Sequence, residues 1–165
     1  MNNQEKNNYV RQQITEALLR LLQKKELNEI SVSELTKEAG VGRVSFYRNY
    51  NDLSDILYKH DKILLKQWKA TFEKQPDASI QTVFGSLFQH YKDHSDFYMT
   101  LYRNGLTASM LETIKAHCEL SPELPNAIAY QKAFFAYGLY GWLMEWMERG
   151  MQEDAAAINA MLLAQ

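Results

Sequence analysis

Apolar residues recur along this chain at three- and four-residue spacing, and no segment sustains the period of two that a half-buried strand would show. The pattern predicts an all-α protein. Ile14, Ala17, Leu18, Leu21 and Leu22 make one stripe, giving a first helix over about residues 8–25. Ser31, with Glu34 three residues on, has the spacing of a reciprocal capping box; it begins a short second helix that turns Val32, Leu35 and Ala39 inward. Gly40 can take left-handed backbone, which ends that helix and opens a turn reaching Gly42. On the helix that follows, at about 100° per residue, Phe46 and Tyr50 share one side. Val44 and Arg48 point nearly opposite, flanked by Arg43, Ser45 and Tyr47.

Asp52 is placed to cap a fourth helix, with Asp55 in its first turn favourable to the helix dipole. Ile56, Leu57, Ile63, Leu64, Trp68 and Phe72 carry that helix to about Lys74. It therefore passes from a first domain, residues 1–60, into a second, residues 61–165, as a natural lever. Gln75, Pro76, Asp77 and Ala78 break it. Further helices are expected near 79–93 and 95–118, with Asn104 and Gly105 as the place for an interruption, and Pro122 and Pro125 mark a loop. A long helix follows from Asn126 to about Gly150, and Asp154 caps a last one to Leu163.

The outward residues of the third helix suit a major groove: Arg can reach guanine O6 and N7, Ser a base or phosphate, and Val a thymine methyl. Tyr47 better suits a phosphate. A solvated helix face would carry Arg43 and Arg48 equally well, and tight helix pairs also occur without DNA. The larger combination is more specific. Residues 9–60 hold an amphipathic helix, a helix-turn-helix and a capped fourth helix, and the segment Gly40, Val41, Gly42, Arg43, Val44, Ser45, Phe46, Tyr47, Arg48, Asn49, Tyr50 follows a pattern like G-V-x-x-x-x-F-Y-x-x-F. In this the chain resembles the N-terminal domain of the TetR/AcrR family of transcriptional regulators.

The resemblance implies a homodimer that binds a palindromic operator in double-stranded DNA and represses until a small molecule binds an all-helical C-terminal domain. Carried over by position, it makes Arg43, Val44, Ser45, Tyr47 and Asn49 the DNA-contacting set, with Arg48 joining them from the helix geometry. Two positions depart from the family pattern: Gly42 stands where a capping residue is usual, and Leu53 where many members place a phosphate-binding Lys, a loss that Lys37 or Lys59 would offset in part. The phrase YGLYGWLMEWMERGMQED resembles a subgroup that includes regulators of dihydroxyacetone utilisation.

Phe134, Tyr137, Gly138, Gly141, Trp142, Glu145 and Trp146 repeat at helical spacing in the long helix. Two glycines there cost about 1 kcal/mol each relative to Ala, which points to a close backbone approach. Intramolecular core and a seam between copies fit the spacing equally. The resemblance assigns Tyr137, Gly138, Gly141, Trp142, Glu145 and Trp146 to a dimer interface. Trp68, Phe72, Phe88, Tyr91, Tyr98, Tyr102 and Phe134, with Phe84 and Phe97, have the makeup of an apolar pocket with phenolic donors for an aromatic or amphipathic effector. Plain core accounts for the same residues individually.

Composition adds limits. Hydrophobic content of 46% with 12% aromatics marks a globular chain. Net charge is −2: residues 1–60 carry nine Lys and Arg against eight Asp and Glu, and residues 61–165 nine against twelve. General attraction to phosphates is therefore slight, and DNA affinity has to come from local placement in two copies. No apolar run approaches the roughly 20 residues that span a bilayer, and MNNQEKNNYV has no signal-peptide core, so a cytoplasmic protein without a membrane partner is expected. The single cysteine, Cys118, cannot form an internal disulfide and is expected to be a small buried or half-buried residue rather than a redox switch. His90 and His94 lie four apart, with His117, Cys118 and Glu119 further on, but such spacing is common on surfaces, and neither metal nor cofactor is expected. With no nucleophile elbow, phosphate loop or site-like carboxylate pair, the chain does not read as an enzyme. The contrasting reading is the same fold acting as a coactivator through a partner protein or ligand, with weak direct DNA binding, which Leu53 and the low basic charge would suit.

Overall fold

The capped, periodic segments are helices in the structure, a computed structural model that describes residues 2–79 and 81–164. Among the described residues there are nine α-helices, one 3-10 turn at Leu27–Glu29 and no strand. The helices are α1 (Asn3–Leu22), α2 (Val32–Glu38), α3 (Arg43–Asn49), α4 (Leu53–Phe72), α5 (Val83–Asp93), α6 (Ser95–Arg103), α7 (Ala108–His117), α8 (Asn126–Glu148) and α9 (Ala155–Leu163). The chain divides into two compact units, residues 1–60 and 61–165, with the division inside α4.

In the first unit, α1 starts five residues earlier than the apolar stripe predicts, because the polar leader is itself a cap. Asn2 Oδ1 accepts from the Glu5 amide at 2.8 Å, and Glu5 Oε2 accepts from the Asn2 amide at 2.7 Å. Ser31 caps α2 as expected, accepting from the Glu34 amide at 3.1 Å. The box is one-sided, however. Glu34 Oε1 instead takes the Lys25 ammonium at 2.6 Å, which also holds the Glu34 carboxyl below its usual range. Gly40, at φ +64°, turns the chain out of α2. Leu18 of α1, Leu35 of α2, Phe46 of α3 and Ile56 of α4 are fully buried; each such side chain contributes about 1.5–3 kcal/mol by leaving water.

In the second unit, α5 begins at Val83 rather than 79, and the Ser79 amide donates to Thr82 Oγ1 at 3.1 Å ahead of it. The expected interruption is a true break: Gly105, at φ +66°, separates α6 from α7. Asp154 caps α9, accepting from the Ala157 amide at 2.8 Å. Asn159 of α9 then serves the start of α5, which has no side-chain cap of its own: its Oδ1 accepts from the Gly85 amide at 2.9 Å, and its Nδ2 donates to the Gln81 carbonyl at 2.7 Å. A Cβ at Gly85 would stand 3.2 Å from Asn159 Cβ, so glycine permits this approach.

A buried polar cluster lies at the centre of that unit. Asp61 is fully buried; its Oδ1 accepts from the Tyr98 hydroxyl at 3.0 Å, while its Oδ2 and the buried Tyr91 hydroxyl have no hydrogen-bond partner among the described residues. His90 Nε2 lies 3.4 Å from the same Tyr98 oxygen. Burial pushes the Asp61 carboxyl up to about 6, against the pull of the Thr113 and Tyr98 hydroxyls, and burial draws His90 down to about 4, helped by His94. The two linkages oppose each other. Between about pH 4 and 6 the folded chain holds a proton on Asp61 that the unfolded chain has lost, so stability falls as pH rises; over about 4 to 6.5 the unfolded chain holds a proton that His90 lacks, so stability rises. Asp61→Asn should therefore exceed the wild type by about 2–3 kcal/mol at pH 7, with the gap closing as pH falls toward 4. Denaturant unfolding at three pH values measures this; a gap that stays constant would refute a buried charge at Asp61.

Candidate nucleic-acid interface and effector cavity

Seven residues make α3, and Gly42 at its start offers no side-chain hydrogen bond. The helix is held instead by Phe46, fully buried and packed edge-on against the Tyr47 ring at 5.1 Å. Val44, opposite Phe46, is 72% exposed, and Tyr47 is 63% exposed. Arg43 and Arg48 are exposed beside them, and Ser45 is half-buried at the edge. The Arg43 guanidinium hydrogen-bonds Ser33 Oγ of α2. Arg43, Val44, Tyr47 and Arg48 thus form one solvent-facing surface with two cations, a phenol and a methyl-bearing side chain, able to meet phosphates and base edges.

Asn49 departs from its expected place. It is 7% exposed, its Oδ1 accepts from Arg11 Nε of α1 at 2.9 Å, and its Nδ2 donates to the Ser45 carbonyl at 2.8 Å. The cause is angular: three residues after Phe46, Asn49 returns to the inward side of the helix. Lys59 is committed as well, its Nζ donating to the Asn49 carbonyl at 2.8 Å and to Asp55 Oδ2 at 2.8 Å. It satisfies a carbonyl that the end of α3 leaves open. Lys37 is exposed on α2. At Tyr50, burial pushes the phenol up, partly offset by the Thr15 hydroxyl beside it and the charge of Arg11. Arg11 and Ser33 carry no signal of these roles in sequence, standing 38 and 10 residues from their partners.

The second unit holds an apolar cavity of about 320 Å³. Trp68, Phe72 and Tyr91 line it, with Phe84, Phe135 and Cys118. Trp68 stacks on Phe72 at 5.7 Å, and its Nε1 donates to Ser86 Oγ at 3.0 Å. Other residues expected here lie elsewhere. Phe88 is sealed in the core edge-on to Trp146 at 5.0 Å, and Tyr98 is spent on Asp61. Tyr102 hydrogen-bonds the Glu148 carboxylate at the surface. Phe134 is 84% exposed; its neighbour Phe135 lines the cavity instead, because one step along α8 turns the side chain by about 100°. Burial pushes the half-buried Cys118 thiol up. His90 and His94 have ring centroids 4.7 Å apart, and His90 is buried; among the described residues no group of three or more His, Cys, Asp or Glu side chains could hold a metal ion.

Along α8, Tyr137, Gly138, Gly141 and Glu145 are exposed and Trp142 is half-buried. A Cβ built on Gly138 or Gly141 meets nothing within 4 Å, so nothing in the protomer calls for glycine there. Glu145 pairs with Arg149 at 2.6 Å. Trp146 leaves this group: at 2% exposure it packs on Phe88, and its Nε1 donates to the Glu153 carbonyl at 3.2 Å. Phe134 joins the outer face in its place, four residues before Gly138.

Residues 78–164, just over half of the chain, match a TetR C-terminal family model described as "Transcriptional regulator C-terminal region". Two solved structures are similar in fold. The fatty acid degradation regulator FadR from Bacillus halodurans has a TM-score of 0.58 at 14% identity, over 92% of this chain and 91% of that one. The transcriptional regulator FadR from Bacillus subtilis, in complex with stearoyl-CoA, has a TM-score of 0.58 at 15% identity, over 93% of this chain and 95% of that one. A search of curated proteins finds no match. Among the described residues no helix is long and apolar enough to cross a membrane. The family match over the C-terminal half, joined to an all-helical fold shared with two regulators, makes the chain a member of the TetR family of transcriptional regulators, which are not enzymes.

Proposed function

We propose that this regulator binds a palindromic operator in double-stranded DNA as a homodimer and represses transcription until a small molecule enters the C-terminal cavity. Residues 1–60 are then the DNA-binding domain and residues 61–165 the regulatory and dimerisation domain, working in the cytoplasm where the DNA is. The observation that carries the reading is the exposed surface of Arg43, Val44, Tyr47 and Arg48 on a helix anchored by buried Phe46. Exposing Val44 and Tyr47 costs apolar surface that a groove would cover. Dimerisation is supported by the open glycines of α8 between Phe134 and Trp142. The cavity's aromatic lining suits an apolar or amphipathic effector; FadR from Bacillus subtilis, with its stearoyl-CoA, makes an acyl chain one class to test. Leu53 and the commitment of Lys59 to Asn49 and Asp55 favour the second reading, a coactivator with weak duplex affinity.

Titration against the duplex upstream of the chain's own gene at two salt concentrations separates the readings. The direct reading expects two protomers per site and affinity falling steeply with salt; little duplex affinity at either salt would favour the coactivator. Arg43→Ala should cost the cognate site roughly 10- to 100-fold more than random DNA, as loss of a bidentate base contact does, while Tyr47→Phe should weaken both about equally. Equal losses for Arg43→Ala would remove its base-reading role.

Gly141→Leu tests the seam. The protomer has room for the side chain, and leucine favours helix by about 1 kcal/mol over glycine, so the fold should persist while bulk blocks close approach of two helices. Sedimentation should find the variant monomeric at concentrations where the wild type is dimeric; a variant that stays dimeric would place the interface elsewhere.

A further inference from the structure

A helix of seven residues spans about 10 Å and is too short to hold itself in water. The direction and roll of α3 are therefore set by its neighbours, and its N-terminus takes no side-chain cap. At its other end, polar contacts from α1, α3 and α4 converge on Asn49. Arg11 Nε donates to Oδ1 at 2.9 Å, Nδ2 donates to the Ser45 carbonyl at 2.8 Å, and Lys59 Nζ donates to the backbone carbonyl at 2.8 Å while tied to Asp55 at 2.8 Å. Tyr50 continues the anchor, buried, with Lys59 Nζ 5.5 Å from its ring centroid.

An apolar side chain would fill this space equally well and needs no partner, whereas a buried amide left unsatisfied costs about 1–3 kcal/mol. What the amide adds is direction. Phe46 fixes how deep α3 sits, but a round apolar anchor resists rotation about the helix axis weakly. The bond from Arg11 of α1, together with the bond from Lys59 of α4 to the Asn49 carbonyl, restrains that rotation, while the bond to the Ser45 carbonyl lies within α3 and fixes the amide on its own helix. Recognition tolerates only about 10–20° of misorientation, and a rotation of that size swings a guanidinium some 7 Å from the helix axis by about 1–2 Å, against the few tenths of an ångström within which hydrogen bonds keep their length.

We propose that Asn49 is a positioning residue for sequence reading: through Arg11 it sets the roll of α3 and hence the aim of Arg43, Val44 and Tyr47, without touching DNA itself. Operator preference then depends on a residue of α1 that carries no recognition signal in sequence. This rests on the DNA-binding reading above.

The test uses the full chain as wild type, Asn49→Ala, Arg11→Gln and the double variant, titrated on operator and random duplexes across a salt series. Each single variant should lower the operator-to-random affinity ratio about tenfold, and the double should do no worse than the weaker single, since both remove one link. For Asn49→Ala, losses of equal size on operator and random duplexes, leaving the ratio unchanged, would make Asn49 a phosphate contact and overturn the proposal; additive losses, or an unchanged ratio in Arg11→Gln, would overturn it too. Arg11 is half-buried, whereas Ile14 and Leu18 are fully buried, so Arg11→Gln leaves the buried core of α1 in place and decides the matter even if Asn49→Ala loses α3. Wild type that binds no duplex removes the DNA reading and this role together, whereas wild-type binding with an unaltered Arg11→Gln removes this role alone.

Discussion

The burial of Phe46 is the constraint on which the first unit depends. A seven-residue helix does not persist alone, so α3 exists because Phe46 leaves water for the core of that unit, in which Leu18 of α1, Leu35 of α2 and Ile56 of α4 are also fully buried. Everything on its far side follows from that choice of inside. With Phe46 inward, Val44 and Tyr47 must face water, and the three-residue return brings Asn49 back to α1. The cost of exposing apolar surface and the gain from burying an amide are therefore one decision, made by the helical period and a single aromatic side chain.

The second unit solves a different problem with the same period. In α8, Ala136, Leu139, Leu143 and Trp146 are buried at spacings of three and four, while Phe134, Tyr137, Gly138 and Gly141 keep to the other face. Two faces on one helix mean that the protomer's own core does not use the glycines. Asp61 shows a comparable excess: a fully buried carboxylate with one satisfied oxygen is weak evidence for stability, and His90, shifted the opposite way by burial, offsets its pH dependence across a window of about two units.

Periodicity and caps made the helices legible, and they placed Phe46, Tyr50, Gly40, Gly105 and Asp154 in the roles the structure gives them. What stayed hidden was phase at helix ends and contact across sequence distance. Asn49 and Ser45 look alike as polar residues near a recognition helix, and only the partner 38 residues away distinguishes them. Phe134 and Phe135 are adjacent and chemically identical, so composition cannot say which lines a cavity; the rotation of α8 decides, and that rotation is set by packing against α7 and α6. Trp146 went to the core for the same reason: a repeat of 142, 145 and 146 spans more arc than one seam, and the residue with a carbonyl partner inside, at Glu153, takes the inner edge. Glu34 shows that even a capping box read correctly by spacing yields to a stronger competitor, here the ammonium of Lys25.

On the proposed function, charge gives a reason for such a reader to come in two copies. Residues 1–60 carry a net charge of only +1, so a single unit gains little from phosphates, and four outward side chains offer few contacts. Two weak readers joined by a rigid seam bind with an effective concentration set by geometry, and affinity can rise by about 10²–10⁴ without a new contact, provided both engage at once. That proviso is strict. Joined readers gain only if each is aimed, since a helix free to roll loses its half-site as often as it finds it. Low charge therefore shifts the burden from attraction to orientation, and a protein that attracts DNA weakly has the more to gain from fixing the roll of its reading helix with directional bonds such as those that Arg11 and Lys59 make to Asn49.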